Sequence, residues 1–361
     1  DLHSFPTRRS SDLLVVFVVF VFLLFTPFTL VYIIAGPNTE RKRYRFHKLV
    51  AAFMRIALKL LPGVKFHLHN KHGETFEKPA IIIANHQSHL DLLCTIVLHP
   101  KVILLTTDWV WKNPIYGVII RYAEYYPVSD GYDKNLERLQ SLVDRGYSVV
   151  VFPEGTRSET GEILRFHKGA FQLAQSLKLD ILPVFIHGAN HVMPKKDIVL
   201  REGQLDVVIE QRIPFESFAA QETRTLTQQI RKYSIQRFDE LRTQLENTEY
   251  VLPFVRYKYI YKGPEVERAC RRNLKRIRAH AAEIDAWRQK SILLRNSGYG
   301  ELAWTLALVH RDAQVYAIEA DEDKFLLASH CSFIPDNLHF LQSGEGVQHS
   351  ESIIETQEFL E

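Results

Sequence analysis

Cysteine is scarce in this 361-residue sequence, which has only Cys94, Cys270 and Cys331, far apart and with no CxxC pair. That scarcity argues against a disulfide framework and a structural zinc site, and it favours a reducing, cytosol-facing location. A large excess of one charge is also missing, since the net charge is only +3, so no nucleic-acid partner is predicted. With 46% hydrophobic and 24% charged residues, the composition fits globular protein in roughly two domains plus a membrane segment.

Charge is absent from residues 13–35, which read LLVVFVVFVFLLFTPFTLVYIIA. A run of this length predicts a helix that crosses the bilayer, so residues 13–36 are assigned as a membrane anchor; a hairpin that enters one leaflet is the alternative. Residues 1–12 look foreign to this run, because HSFPTRRSSD continuing into Leu13 is what a common sequencing-adapter oligonucleotide encodes in one frame. We interpret them as an assembly artefact rather than a natural basic flank and exclude them from fold reasoning.

A basic cluster follows the apolar run and predicts that the next domain faces the cytosol, where the cluster attracts anionic headgroups. Its members are Arg41, Lys42, Arg43, Arg45 and Lys48. Residues 49–61 then repeat apolar side chains at spacings of three and four, which predicts an amphipathic helix. That helix either covers the sheet or lies in the membrane interface with Arg55 and Lys59 pointing outward.

Short apolar runs alternate with helical stretches beyond Gly63, which predicts an α/β domain with a central sheet. The predicted strands are residues 64–68, 80–84, 102–105, 148–152, 181–186 and 206–209. The predicted helices include residues 90–98, 134–146 and 170–177. Reactive-looking residues come just after strand ends, where open α/β sheets place their sites.

The first such segment is Asn85-His86-Gln87-Ser88-His89-Leu90-Asp91. Residues five apart do not share a face of one helix, so contact requires His86 in the loop and Asp91 in the first turns of the next helix. The carboxylate would then hold one imidazole nitrogen and leave the other free to take a proton. By itself, a histidine followed five residues later by an aspartate is also common among surface residues without a function. No further ligand motif accompanies His86, His89 and Asp91, so no metal is predicted there.

The second segment, FPEGTRS at residues 152–158, again follows a buried strand. Gly155 permits a close backbone approach, and Arg157 can donate two parallel hydrogen bonds to a phosphate. Lys168, in FHKG at residues 166–169, opens a helix whose amides would add positive potential. An ordinary strand-turn-helix with surface cations is the alternative.

Together, NHQSHLD, FPEGTRS, FHKG and ILPV at residues 181–184 resemble the ordered motifs of the lysophospholipid acyltransferase family, which includes the 1-acylglycerol-3-phosphate acyltransferases. The resemblance implies an α/β fold with a central mixed sheet flanked by helices, over an acyltransferase domain at residues 45–245. It implies that His86 is the general base and Asp91 its orienting acid. It also implies acceptor binding by Glu154, Gly155, Thr156 and Arg157, helped by Lys168, and links Pro183 to the acyl donor.

The second family motif departs from the pattern. It usually ends in an apolar residue, Asp and Arg that help to hold the acceptor phosphate, whereas residues 123–130 read AEYYPVSD here. Two explanations are open. The acceptor is a lipid other than lysophosphatidate, or Arg121 or Lys168 binds the acceptor phosphate in place of the missing arginine.

The implied reaction transfers a fatty acyl group from acyl-CoA or acyl-carrier protein to a lysophospholipid, most simply 1-acylglycerol-3-phosphate, giving phosphatidate. It requires no acyl-enzyme, no metal and no cofactor. The implied partners are the lipid bilayer, the acceptor and the acyl donor, and the implied location is the inner or cytoplasmic membrane with the catalytic domain facing the cytosol. The alternatives are a different lipid acceptor and a non-catalytic, membrane-anchored binding protein.

Residues 250–361 form a second segment of different composition. SILLRNSGYGE at 291–301 and QVYAIE at 314–319 predict a strand, a glycine turn, a helix and a strand that ends in an acid. This half-fold cradles nucleosides, with Glu319 placed for ribose hydroxyls, and it resembles the opening of an S-adenosylmethionine-dependent methyltransferase. Asn296 and Ser297 stand where that family favours an acid and a glycine. We therefore expect an incomplete, partly Rossmann-like domain that does not use S-adenosylmethionine, either degenerate and kept for structure or truncated, with a working domain as the alternative. Methyl transfer is not predicted.

Overall fold

The computed structural model describes residues 25–114, 116–196, 199–331, 334–342 and 350–359. The chain divides into two compact units between Phe238 and Asp239, inside the helix Thr223–Leu245. The sequence-based boundary, between residues 245 and 250, falls just after the end of the same helix.

The strands of the first unit follow the sequence prediction closely, with one addition. All six predicted strands are present. A short strand that was not predicted, β4, lies within residues 123–130, the segment that differs from the second family motif. They are β1 Val64–His69, β2 Ala80–Ala84, β3 Val102–Thr106, β4 Tyr126–Pro127, β5 Ser148–Val151, β6 Asp180–His187 and β7 Gly203–Ile209.

These seven strands form one sheet in the order β1-β7-β6-β2-β5-β3-β4. Five of them, from β6 to β4, run parallel, whereas β7 is antiparallel to β6 and β1 is parallel to β7. The prediction of a mixed α/β sheet is therefore confirmed. Every residue of β2 is buried, as expected for a parallel strand covered on both faces.

Helices cover this sheet and connect its strands. The predicted helices at residues 90–98, 134–146 and 170–177 are confirmed, with ends shifted by one or two residues. The helices of the first unit are α1 Thr26–Ile34, α2 Glu40–Lys59, α3 Leu90–Ile96, α4 Asp108–Lys112, α5 Tyr116–Tyr122, α6 Tyr132–Asp144, α7 Gly169–Ser176, α8 Ala189–Val192 and α9 Thr223–Leu245, the last of which continues beyond residue 238.

Half of the predicted membrane anchor, residues 13–24, lies outside the described residues, as do residues 1–12. In the part of the chain that the structure describes, no helix combines the length and the hydropathy needed to cross a bilayer. The helix α1 carries the described end of the predicted anchor.

The second unit contains a parallel four-stranded sheet in the order β10-β9-β8-β11. In chain order this is 3-2-1-4, the order in which doubly wound nucleotide-binding sheets begin. The predicted strand-turn-helix-strand is confirmed as β8 Ser291–Arg295, α13 Glu301–Val309 and β9 Gln314–Ile318, with Trp304 of α13 fully buried. The remaining elements are α10 Thr248–Tyr257, α11 Pro264–Ala279, α12 Ala281–Ala286, α14 Glu322–Ser329, β10 Leu338–Leu341, β11 Ser352–Glu355 and α15 Thr356–Phe359.

Glu319 follows β9, as predicted, but its carboxylate contacts the protein backbone. Its two oxygens accept hydrogen bonds from the amides of Gly298 at 2.6 Å and Asp321 at 3.0 Å. The carboxylate therefore closes the glycine turn, and its role toward a ribose stays a prediction, as does the resemblance to a methyltransferase.

Candidate active site

Three neighbouring parallel strands, β6, β2 and β5, end at the same edge of the sheet. His86 follows β2, the turn at residues 153–158 follows β5, and Lys195 lies in the segment that follows β6. Adjacent parallel strands bring the loops after their carboxyl ends together. Asn85 joins β2 to β6 here, since its side chain accepts a hydrogen bond from the Ile186 amide at 2.7 Å and donates one to the Ile186 carbonyl at 2.9 Å.

The predicted pairing of His86 with Asp91 is confirmed as geometry. Asp91 lies in the first turn of α3, and its Oδ2 is 2.8 Å from Nδ1 of His86. With the carboxylate as acceptor, Nδ1 is the donor, and in the neutral imidazole Nε2 then keeps its lone pair. The His86 side chain is 18% exposed, whereas Asp91 is fully buried.

The ring of His86 is also fixed from the side. It stacks on Phe152, with ring centroids 4.3 Å apart and planes 24° from parallel. Among the described contacts, none occupies Nε2 of His86. The imidazole therefore presents a partly exposed nitrogen in a fixed direction, which is the arrangement that a general base requires.

Glu154, which the sequence predicts to bind the acceptor, is buried. It is only 3% exposed, and its two carboxylate oxygens accept hydrogen bonds from the backbone amides of His86 and Leu164, each at 2.9 Å. Its carboxylate therefore points into the protein and joins the loops after β2 and β5, and acceptor binding by Glu154 stays a prediction. Burial raises the pKa of Glu154 to about 7, although the two amides oppose this by favouring the ionised form.

The rest of the predicted anion loop is exposed or half-buried. Gly155 adopts a left-handed backbone conformation at φ +67°, and a Cβ there would come within 3.2 Å of the His167 ring. Thr156 is exposed, and Arg157 is half-buried, with its guanidinium donating to the Lys195 carbonyl at 3.3 Å. Both residues are therefore available at the edge of the sheet, as predicted.

Lys195 is a cation that the sequence reasoning missed. Its ammonium lies 3.4 Å from the Thr156 hydroxyl and 3.5 Å from a carboxylate oxygen of Glu159, which also pairs with Lys196 at 2.7 Å. The only sequence signal was two adjacent lysines after the last motif.

Arg157 lies close enough to the first motif to affect its electrostatics. Burial, and next the positive charge of Arg157, lower the pKa of His89.

Arg121 and Lys168, the candidates to replace the missing arginine of the second motif, make no described contact with the dyad or the anion loop. Arg121 donates a hydrogen bond to the Trp111 carbonyl at 2.5 Å and lies over the Trp111 ring. Lys168 is exposed at the start of α7, and no described hydrogen bond or ion pair joins its side chain to the other predicted site residues. A different arginine lies beside the motif: Arg138 stacks on Tyr126 and pairs with Asp130.

The nucleophilic side chains nearest to the dyad in the sequence are buried. Ser88 is 0% exposed, and its hydroxyl donates to the Met193 carbonyl at 2.7 Å. Cys94 is also 0% exposed, and burial raises the pKa of its thiol well above the ordinary value. Neither side chain is placed to form a covalent acyl-enzyme intermediate.

Comparison with known proteins supports the same chemistry. A family model described as Acyltransferase matches residues 65–187, the segment that runs from β1 to the end of β6 and contains the dyad and the anion loop. The protein is an acyltransferase.

Named relatives agree on the reaction class. Human 1-acyl-sn-glycerol-3-phosphate acyltransferase alpha is 26% identical over 58% of this chain and 74% of its own length. A chloroplastic 1-acyl-sn-glycerol-3-phosphate acyltransferase of Brassica napus is 26% identical over 54% of this chain and 57% of its own. The crystal structure of the 1-acyl-sn-glycerophosphate acyltransferase PlsC from Thermotoga maritima shares the fold, with a TM-score of 0.54 and 23% identity over 63% of this chain and 97% of that one.

The raised pKa of Glu154 predicts a pH-dependent stability. The folded chain holds this proton more tightly than the unfolded chain does, so the stabilisation is present below the ordinary pKa of 4.5 and is lost as the pH rises through about 7. Between pH 5 and pH 8, the free energy of unfolding should fall by roughly 2 kcal/mol from this group. Urea unfolding at both pH values should show a smaller fall in Glu154→Gln than in wild type. Glu162→Gln, at an exposed position in the same loop, is the control and should keep the wild-type slope.

Proposed function

We propose that this protein is a membrane-bound O-acyltransferase that moves a fatty acyl group from acyl-CoA or acyl-carrier protein to 1-acylglycerol-3-phosphate, giving phosphatidate. The observation that carries the proposal is the His86–Asp91 pair at 2.8 Å, which lies in a sheet edge shared with Arg157 and Lys195. It combines a base for a hydroxyl group with cations for a phosphate.

In the proposed reaction, Nε2 of His86 takes the proton from the acceptor hydroxyl while that oxygen attacks the thioester carbonyl. The bond from carbonyl carbon to sulfur then breaks, and the leaving thiolate takes the proton from the imidazolium. Asp91 stabilises the imidazolium between these steps and keeps Nδ1 protonated. Because Ser88 and Cys94 are buried, transfer is direct, without an acyl-enzyme.

Arg157 and Lys195 are proposed to bind the acceptor phosphate. They belong to the loops after β5 and β6, on either side of the loop that carries His86. A guanidinium and an ammonium together provide the charge-assisted hydrogen bonds that a phosphate dianion prefers. This pair takes the place of the arginine that the second motif lacks, so the departure of residues 123–130 is compatible with a phosphorylated acceptor.

The helix α2 is proposed to place the domain on the cytosolic surface of the membrane. Its inner face is buried through Phe46, Ala57 and Leu58, so the prediction that it covers the sheet is supported. Its outer face carries a second apolar row at spacings of three and four, which comprises Leu49 (40% exposed), Ala52, Ile56 (52%) and Leu60 (65%). Exposed apolar rows flanked by lysine and arginine favour the interface of an anionic bilayer.

The basic cluster contributes less free charge to this surface than the sequence suggested. Lys42 donates hydrogen bonds to the carbonyls of Ile33 and Gly36, and Arg43 pairs with Glu124 at 3.6 Å. Arg55 is exposed, and its guanidinium donates a hydrogen bond to the Val97 carbonyl at 2.8 Å. Arg41, Arg45, Lys48 and Lys59 remain exposed beside the apolar row.

The central test replaces the base. His86→Ala should lower the rate of phosphatidate formation by roughly 10²- to 10⁴-fold, because a positioned base contributes about that much. Membranes that contain the variant are given radiolabelled acyl-CoA, or acyl-carrier protein, and 1-acylglycerol-3-phosphate, and the products are identified by mass spectrometry. Asp91→Asn should also lower the rate, because it no longer holds the Nδ1-protonated tautomer.

The control for this test is His280→Ala, which changes a surface histidine that pairs with Glu283 in the second unit. It should transfer at the wild-type rate. If folded His86→Ala kept near-normal transfer, the general-base assignment would be wrong. If wild type acylated another lyso-lipid but not 1-acylglycerol-3-phosphate, the enzyme class would stand and the acceptor would change.

The proposed phosphate site predicts a change in acceptor affinity alone. Arg157→Ala should raise the KM for 1-acylglycerol-3-phosphate by about 10- to 100-fold, the value of one charged hydrogen bond, and should change kcat less. The KM for uncharged monoacylglycerol should be unchanged. Arg165→Ala, an exposed arginine in the same segment, is the matched control. Equal losses with both acceptors would show that Arg157 supports the fold of the loop instead of binding phosphate.

The proposed membrane face predicts a dependence on how the acceptor is presented. Replacing Leu49, Ile56 and Leu60 together by Gln should lower transfer several-fold with long-chain acceptor in anionic vesicles. Transfer to a short-chain acceptor in free solution should be unchanged, because the active site is intact. The control is Leu326→Gln, which changes an exposed leucine of the second unit. A loss with both kinds of acceptor would argue for a structural role of the row.

A further inference from the structure

Two histidines of β1 and one aspartate of β7 point their side chains at one place. His67 Nδ1 lies 3.2 Å and His69 Nε2 lies 2.8 Å from the same oxygen, Oδ1 of Asp206. The three atoms all lie within 4.8 Å of one another. Neither the dyad nor the anion loop includes any of these residues.

The strand pairing explains why they meet. Residues two apart on a strand share a face, so His67 and His69 lie on the same side of β1. The strands β1 and β7 are parallel neighbours, and Asp206 is the register partner of His67. One face of this strand pair therefore presents two imidazoles and a carboxylate side by side.

We propose that His67, His69 and Asp206 bind one divalent transition-metal ion, with Zn²⁺ as the best match. Imidazole nitrogen and carboxylate oxygen are ordinary zinc ligands, with bonds of about 2.0–2.2 Å, so ligand atoms around a tetrahedral ion lie roughly 3.3 Å apart. The observed separations from Oδ1 of Asp206 are 3.2 and 2.8 Å. The side chains of His67 and His69 are 45% and 33% exposed, which leaves access for an ion and for water as a further ligand.

The aspartate has the support that a metal ligand needs. Its side chain is 0% exposed, and its second oxygen, Oδ2, accepts a hydrogen bond from Gln204 at 2.7 Å. That bond orients the carboxylate so that Oδ1 faces the two imidazoles. Partners of this kind raise metal affinity by about 10- to 100-fold. The ion would fasten the edge strand β1 to β7.

The test is direct metal binding to the tag-free full chain, purified in detergent and stripped with a chelator. ZnCl₂ is titrated against a chromophoric competitor, and the bound metal is counted by elemental analysis. Wild type should bind one equivalent. The double substitution His67→Ala with His69→Ala should lose more than about 100-fold in affinity, and Gln204→Leu about 10- to 100-fold. His72→Ala, an exposed histidine 3.9 Å from Glu210, is the matched control and should bind like wild type.

A second measurement separates a site from adventitious binding. Zinc should raise the thermal unfolding midpoint of wild type and of His72→Ala, but not that of the double variant, because only an ion bound to the native state stabilises it. Circular dichroism verifies that each variant is folded. The proposal is overturned if wild type binds no equivalent of zinc, or if the double variant keeps wild-type affinity. Either result would leave a hydrogen-bonded histidine–aspartate cluster.

Discussion

The buried carboxylate of Asp91 is the group on which the geometry of the dyad loop depends. An ionised carboxylate removed from water requires donors, and here all of the described ones come from the loop just before it: the amides of Gln87 at 2.5 Å and Ser88 at 2.8 Å, and Nδ1 of His86 at 2.8 Å. All three donate to Oδ2, whereas Oδ1 has no hydrogen-bond partner among the described residues. The three bonds to Oδ2 together set the loop conformation and the orientation of the imidazole ring. A base oriented in this way needs little reorganisation during the reaction.

The neighbouring loop holds the backbone of His86 in place. Its amide donates to Glu154 at 2.9 Å, and its carbonyl accepts from the Ser158 amide at 2.7 Å. Both contacts exist because β2 and β5 are adjacent and end at the same edge. The two sides of the FPEGTRS segment therefore differ: Glu154 and Ser158 are buried and hold the backbone of His86, whereas Thr156 and Arg157 lie on the outer side, where the proposed phosphate would bind.

The sequence predicted whatever depends on local pattern. The buried parallel strands were continuous apolar runs, and the dyad was a contact over five residues. What it missed depends on distant partners or weak patterns. β4 has two residues, α9 is largely polar, and the direction of Glu154 follows from strand order. His67 and Asp206 are in contact although they lie 139 positions apart in the sequence, so no local motif predicts this contact.

The order of side chains along the sheet edge suits an amphiphilic acceptor better than a soluble one. The strand order β6-β2-β5-β3-β4 puts Lys195 and Arg157 in the loops on either side of His86. Beyond them, Trp109 after β3 is 70% exposed and Val128 after β4 is 60% exposed. A lysophospholipid combines an anionic phosphate, a free hydroxyl and an apolar acyl chain, so each kind of side chain on this edge has a counterpart in the proposed acceptor. In the proposed reaction, cations that bind the phosphate would bring the acceptor hydroxyl to the base, and the exposed apolar side chains would contact the acyl chain of the acceptor.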